Sequence, residues 1–271
     1  MQDDDINILF IGDIIGKPGR LAVKSLMGRL TEKYKPELII ANGENAAHGM
    51  GITPDIAGFL FGLGIDVITT GNHIWDQKTI IPYIDTQRRL LRPANYSSLV
   101  PGKGYGVFDS KLGRKTAVIN LEGRVFMKGL SESPFTVAKD IIKVVCGEAD
   151  AIVIDFHAEA TSEKEALALY LDGSISAFLG THTHVQTNDD MILPKGTAYI
   201  TDVGMVGSKY SVLGTNKDIA IKRYLTGMPE KFIPEENDVV LNAVSITVDK
   251  KTKLSKNIQK IRIDKDPDIN S

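Results

Sequence analysis

Short apolar runs that end in polar, ligand-type side chains recur along this 271-residue chain. The run at 6–11 is apolar and β-branched and stops at Gly12-Asp13, a pattern that predicts a buried strand. The run at 38–41 leads into Asn42-Gly43-Glu44-Asn45, and the run at 66–70 into Gly71-Asn72-His73. Farther on, the run at 151–156 ends at His157, and Ala177-Phe178-Leu179 leads into Gly180-Thr181-His182-Thr183-His184. Helical spacing fills the intervals: Val23, Met27, Leu30 and Tyr34 after the first tip, then Ile56, Phe59, Leu60 and Leu63 after the second. Pro134 opens a later helix whose apolar face is Val137, Ile141, Val144 and Val145. Thr53 or Asp55 is expected to cap the second helix and Gly64 to end it, while Ser162 and Glu165 fit a capping box after His157.

Strand, polar tip and helix in repeated succession imply a sheet that is at least partly parallel, with its tips on one edge. That edge is where α/β proteins place their chemistry. Residues 91–106 are rich in Pro and Gly and read as an irregular crossing. Two strands, 105–108 and 116–120, flank a turn near Leu112-Gly113-Arg114. Residues 203–207 read as flexible and 216–225 as a short helix. Val244, Ile246 and Val248 alternate with polar residues, as do Ile261 and Ile263. Antiparallel strands there predict a mixed sheet or a second sheet. With no repeat, low-complexity segment or linker, one domain over 1–271 is the economical expectation.

Composition narrows the class. Hydrophobic residues are 42% and charged residues 24%, ordinary for a soluble globular chain. A net charge of −2 argues against stable nucleic-acid binding through a basic surface, while leaving room for a nucleotide in a small pocket. Cys146 is the single cysteine, which rules out an intramolecular disulfide and fits a reducing compartment. It reads as a packing residue near a helix end. The acidic start, Met1-Gln2-Asp3-Asp4-Asp5, lacks the basic region and apolar core of a signal peptide, and no run is long enough to span a membrane. A cytoplasmic enzyme with no membrane partner is expected. A homo-oligomer is compatible with the sequence but not written in it.

The polar tips carry the candidate chemistry. Four of the five histidines, His73, His157, His182 and His184, follow short apolar runs, and His48 follows the Glu44-Asn45 motif. If the 180–184 stretch is extended, His182 and His184 face the same way. With Asp13, Glu44, Asn45 and Asn72 they offer carboxylate, amide and imidazole donors. One carboxylate can bridge two cations about 3.5–4 Å apart, and such a pair lowers the pKa of a bound water and clamps a phosphate. Mixed O and N donors suit Mn, Fe, Zn or Co, and the tips hold no thiolate for a structural zinc site. A histidine free of metal could protonate the leaving oxygen. Arg92 or Arg124 could help hold a phosphate, and Trp75 reads as a packing residue. The loop at Gly16-Lys17-Pro18-Gly19 is not a phosphate loop, because Pro18 stands where Ser or Thr would reach magnesium.

Gly71-Asn72-His73, His157 and Gly180-Thr181-His182-Thr183-His184 resemble the ordered motifs of calcineurin-like metallophosphoesterases. Two departures, Ile15 where that superfamily has His and Gly43-Glu44-Asn45 where it has Gly-Asp, are similar to the YmdB-like bacterial subgroup. So are Asn42 to Gly49, Asp155 to Glu163 and Leu193 to Met205, so that the likeness spans nearly the whole chain. The resemblance implies a four-layer α/β sandwich with two mixed sheets between helices. It implies that Glu44 bridges two metals, that Asp13, Asn45 and His184 complete one site, and that Asn72, His157 and His182 complete the other. His73 would be the catalytic histidine. The implied activity is phosphodiester hydrolysis by a metal-activated water, with 2′,3′-cyclic nucleotides as substrates. Iron or manganese would be the metals, with zinc a further option. The competing readings are a regulator that binds a nucleotide at the same site without turnover, and an amidohydrolase, in which a His-x-His pair comes early in the chain instead of late.

Overall fold

The computed structural model describes residues 5–265. The acidic start and the far C-terminus lie outside the described residues, apart from Asp5. The first half runs β1 (Asp5–Ile11), β2 (Asp13–Ile14), α1 (Gly16–Tyr34), β3 (Leu38–Asn42), α2 (Pro54–Gly62), β4 (Val67–Thr69) and α3 (Ile80–Ile84). Next come β5 (Tyr105–Asp109), β6 (Lys115–Glu122), α4 (Pro134–Val145), β7 (Ala151–His157), α5 (Thr161–Leu171), β8 (Ala177–Thr181), β9 (Met191–Ile192) and β10 (Ala198–Ile200). The chain then returns through β11 (Met205–Ser208), α6 (Lys217–Thr226), β12 (Val239–Asp249) and β13 (Ser255–Lys265).

One sheet is ordered β2-β11-β12-β1-β3-β4, with β13 on β12; the other is β5-β6-β7-β8-β10-β9. Both are mixed. In the first, β1, β3 and β4 are parallel while β12 is antiparallel to β1. In the second, β6, β7, β8 and β10 are parallel and β5 and β9 are antiparallel edges. Alternation along β1 explains the layering. Ile6, Ile8 and Phe10 pack between the sheets with Val153 and Leu179, and Leu9 and Ile11 pack outward with Val23 and Leu26 of α1. On the far side, Ile119 and Ile154 meet Ile141 and Leu167 of α4 and α5. The result is four layers, helix–sheet–sheet–helix. Each fully buried Leu, Ile or Phe contributes about 1.5–3 kcal/mol of transfer free energy. Among the described residues no helix is long and apolar enough to cross a membrane.

Several local expectations need correction. The 180–184 stretch is not extended: β8 ends at Thr181, and His182 and His184 have φ of +100° and +65°. The Ser162–Glu165 capping box does not form, because α5 starts at Thr161 without a side-chain cap. The neighbouring Glu163 carboxylate instead accepts from the Arg124 and Val125 amides. Phe59 and Val144 face solvent, while Ala57 and Ile142 take the buried positions. Residues 205–208 are a buried strand, not a flexible link, because β12 and β2 both pair with them. Cys146 is exposed at the end of α4. Arg92 is buried with its guanidinium donating to the carbonyls of Pro93 and Pro101, so it fixes the 91–101 crossing and is not free for a phosphate. Thr53 does cap α2, accepting from the Ile56 amide, and Asn216 caps α6.

Candidate active site

The parallel strands of both sheets deliver the polar tips to one place. Asp13 opens β2 and is fixed by its amide donating to the Gly204 carbonyl (3.0 Å). Asn42, buried at the end of β3, accepts from the Glu44 amide (3.1 Å) and donates to Asp155 of β7 (3.0 Å). It therefore orients the turn that carries Glu44 and ties the two sheets together. Gly71 follows β4 through a gap that only a glycine fits. A Cβ there would lie 2.2 Å from His157 Cδ2 and 2.3 Å from Glu44 Oε2. Just beyond it, the His73 amide donates to Glu44 Oε2 (3.3 Å).

Three histidines complete the cluster, and each has one ring nitrogen occupied by an acceptor. Thr181 Oγ1 donates to Asp155 (2.7 Å), so it accepts from His157 Nδ1 (2.9 Å). His182 Nε2 lies 3.1 Å from Glu159 Oε2, and His184 Nδ1 lies 3.0 Å from the Leu213 carbonyl. A neutral imidazole has one N–H. With that N–H committed outward, His157 Nε2, His182 Nδ1 and His184 Nε2 turn lone pairs inward. This is the arrangement by which proteins fix metal-ligating histidines.

The inward atoms crowd one another. His157 Nε2 lies 2.9 Å from Glu44 Oε1, 3.2 Å from Asn72 Oδ1 and 3.0 Å from His182 Nδ1. Near the same Glu44 oxygen, Asn45 Nδ2 lies 3.1 Å from Glu44 Oε1 and 3.1 Å from His184 Nε2, and Asp13 Oδ1 is 4.0 Å from His184 Nε2. Asp13 Oδ1 is fully buried and has no hydrogen-bond partner among the described residues. A half-turn of the Asn45 amide would present its oxygen inward. One proton on His157 can satisfy only one of its three neighbours; a cation can satisfy all of them. The donor set therefore fits a metal, and Glu44, His157 and His182 alone place ligand atoms within 4.8 Å of one another.

The electrostatics point the same way. Burial lifts Asp13 well above the usual carboxylate range, and although His157 opposes this, Asp202, Glu44 and Asp155 add to it. Burial acts to raise Glu44 too, but the charge and hydrogen bond of His157 prevail and hold it at about 2. Burial acts to lower His157, yet Glu44, Asp13 and Asp155 raise it to about 9. Burial and the neighbouring His157 push His182 down to about 3. In effect, the cluster concentrates a demand for positive charge at the point where the inward atoms meet.

His73 stands at the cavity edge, half-buried, with Nδ1 2.7 Å from Asp76 Oδ2. Asp76 thereby leaves Nε2 as the nitrogen free for a substrate. The structure thus gathers Asp13, Glu44, Asn45, Asn72, His73, His157, His182 and His184. It leaves out His48, which is exposed, has φ of +53°, and makes no side-chain hydrogen bond among the described residues. Arg124 is exposed as well.

Several supporting residues escaped the sequence reading. Asp76 and Asp155 had a local signal, lying three residues after His73 in a turn and two before His157 on a strand. Asp202 follows the 198–200 run and lies within the Leu193–Met205 motif but was given no role, and Lys164 had no signal. Lys164 is fully buried, and its Nζ donates to Asp202 Oδ2 (2.9 Å) and to the Thr181 carbonyl (2.8 Å). The same Asp202 oxygen accepts from Thr183 N and Oγ1. This pair grips the histidine turn on both sides of His182.

The chain is similar to known proteins over nearly its whole length. The model of the YmdB-like protein family matches residues 9–261. A Bacillus subtilis protein named 2′,3′-cyclic-nucleotide 2′-phosphodiesterase is 49% identical over 261 residues, covering 96% of this chain and 98% of its own. The crystal structure of a Mycoplasma pneumoniae protein described as a novel phosphatase superposes with a TM-score of 0.90 at 38% identity, covering 98% and 96% of the two chains. A hypothetical protein from Thermus thermophilus gives a TM-score of 0.89 at 37% identity, covering 96% of this chain and 100% of that one. The chain belongs to the YmdB-like family.

Proposed function

We propose that this YmdB-like chain is a metal-dependent phosphodiesterase that takes 2′,3′-cyclic nucleotides and holds two metal ions, manganese or iron before zinc. The observation that carries the metal is the gathering of Glu44, His157 and His182 ligand atoms within 4.8 Å of one another, beside His184 and a buried, unpartnered Asp13 oxygen 4.0 Å from it. The phosphodiester reading and its substrate class rest on the 49% identity to a relative of that name over nearly its whole length.

Glu44, whose Oε1 is near both His157 Nε2 (2.9 Å) and Asn45 Nδ2 (3.1 Å), would be shared by both ions. Asp13, Asn45 and His184 would hold one, and Asn72, His157 and His182 the other. When bound, the pair supplies Lewis acidity, lowering the pKa of water and neutralising charge on the phosphate. The reaction adds one water across a P–O bond, and the ribose oxygen that leaves takes up a proton. His73 would deliver that proton from Nε2, a role supported by Asp76 holding its other nitrogen. The Asp155–Thr181–His157 chain and Glu159 would hold the rings so that their inward nitrogens stay aimed at the ions, His157 giving up its inward proton as metal binds.

The test is hydrolysis of a generic aryl phosphodiester and of a 2′,3′-cyclic nucleotide by metal-stripped protein, with Mn²⁺ restored in steps. Activity should appear with metal and fall by about 10²–10⁴-fold in His73→Ala, which should retain its metal. Saturable metal binding with no turnover of either substrate would replace the enzyme reading with that of a nucleotide-binding regulator.

A further inference from the structure

The polar cavity does not stop at the strand tips. It measures about 320 Å³ and is bordered, beyond Glu44 and the histidines, by Arg223, Glu230 and Phe232. Those three residues, with His182 and His184, also border a second cavity of about 360 Å³. Its other walls include Val212, Leu213, Ile219 and Tyr224. Both volumes suit small-molecule sites. On α6, Ile219 and Arg223 are four residues apart, as are Ala220 and Tyr224, which puts all of them along one helix face.

The segment between β11 and β12 that carries α6 is fastened to the site at two points. The Leu213 carbonyl holds His184 Nδ1. The Phe232 ring lies against Gly49, where a Cβ would come within 2.1 Å of Phe232 Cε1. Glycine at φ +85° is what lets the ring dock.

Arg223 is the unexplained group. Among the described residues it is the one Lys or Arg that borders the polar cavity. Its guanidinium has no hydrogen bond or ion pair with the described residues, and the nearby Glu230 pairs with Lys222 (2.6 Å) instead. An open guanidinium suits a bidentate grip on phosphate oxygens.

We propose that Arg223 is a specificity-determining residue that binds the substrate's phosphate oxygens, and that the adjoining apolar-walled cavity receives the nucleoside. The inference rests on the phosphodiesterase reading for the identity of its ligand. A rival cavity of about 470 Å³ lies beside Trp75 and Tyr96. It shares only His73 with the polar cavity, whereas the α6 cavity shares five residues with it.

The experiment is calorimetric binding of adenosine 3′-monophosphate and of inorganic phosphate to the Mn²⁺-supplemented protein. The wild type should bind the nucleotide about tenfold or more tightly than phosphate, the scale of a filled apolar pocket. Arg223→Met should weaken both ligands by roughly 10- to 100-fold, as expected for a charge-assisted contact. Ala220→Phe, which fills the α6 cavity, should close the gap between the two ligands. Arg223 is exposed, so its variant carries little risk to folding. An unchanged phosphate affinity in Arg223→Met overturns the phosphate grip. A gap that survives Ala220→Phe, or that closes in Trp75→Ala instead, overturns the nucleoside placement. Selective binding without turnover in the wild type would count against the phosphodiesterase reading alone and leave the subsite standing.

Discussion

The two halves of the site are built on different principles. Asp13, Glu44, Asn45 and Asn72 are placed by backbone: each sits at or just past the end of β1, β3 or β4, and the parallel sheet carries them to one edge. The histidine turn is placed by side chains. His182 adopts φ of +100°, a region that L-residues rarely occupy. Such a conformation persists only when its surroundings over-determine it. Here they do, through Thr181, Glu159, the Leu213 carbonyl and the buried Lys164–Asp202 pair. One half is as stable as the sheet, and the other depends on a handful of polar contacts.

Breaking that second half should cost most at its anchor. Lys164→Met leaves Asp202 as an uncompensated buried carboxylate and should destabilise the protein by about 3–5 kcal/mol, measured by denaturant unfolding. Asp202→Leu combined with Lys164→Met should recover much of that stability without restoring metal affinity, because Thr183 remains untethered. If the double variant binds metal as tightly as wild type, the pair does not position the turn.

A smaller effect is expected from Thr181→Val, which keeps the side-chain shape and removes the hydroxyl between Asp155 and His157. Metal affinity should fall by about 10–100-fold with global stability less affected. An unaltered affinity would show that the His157 tautomer needs no such partner. Glu159→Gln, on the exposed side of His182, should do less than Thr181→Val, since water can take its place.

The mildest probe is pH. In metal-free protein His157 is raised to about 9. Its contribution to stability is therefore fully present below the ordinary histidine value of about 6.5 and is lost as pH rises through 9. Glu44, depressed to about 2, contributes above about 4.5 and loses that contribution as pH falls through 2. Metal-free protein should become less stable between pH 6.5 and 9, and bound metal should erase that slope, because binding displaces the proton. An equal slope with and without metal would contradict the assignment of His157.

The same contrast explains what could be read in the chain. Asp13, Glu44, Asn72 and His157 were legible because an apolar run followed by a polar tip is a one-dimensional signal of a strand end. The sandwich of two mixed sheets followed from a family resemblance, since strand order leaves no local trace. His182 and His184 were found for the wrong conformational reason: alternation suggested a strand, whereas a turn with positive φ brings both rings inward. The Lys164–Asp202 pairing was illegible because 38 residues separate the two and Lys164 stands in no local pattern, although Asp202 follows the strand at 198–200. The α6 segment read as a short helix with no link to the site, and only the docking of Phe232 on Gly49 reveals it as a wall of the site.

The most direct measurement of the central claim is a calorimetric titration of stripped wild-type protein and Glu44→Ala with Mn²⁺, in two buffers of different ionisation enthalpy. Wild type should take up two ions per chain and release protons as it does so, while Glu44→Ala should lose saturable binding. Equal binding by the two proteins, or binding to wild type with no proton release, would contradict a site in which Glu44 is shared and His157 must give up its proton.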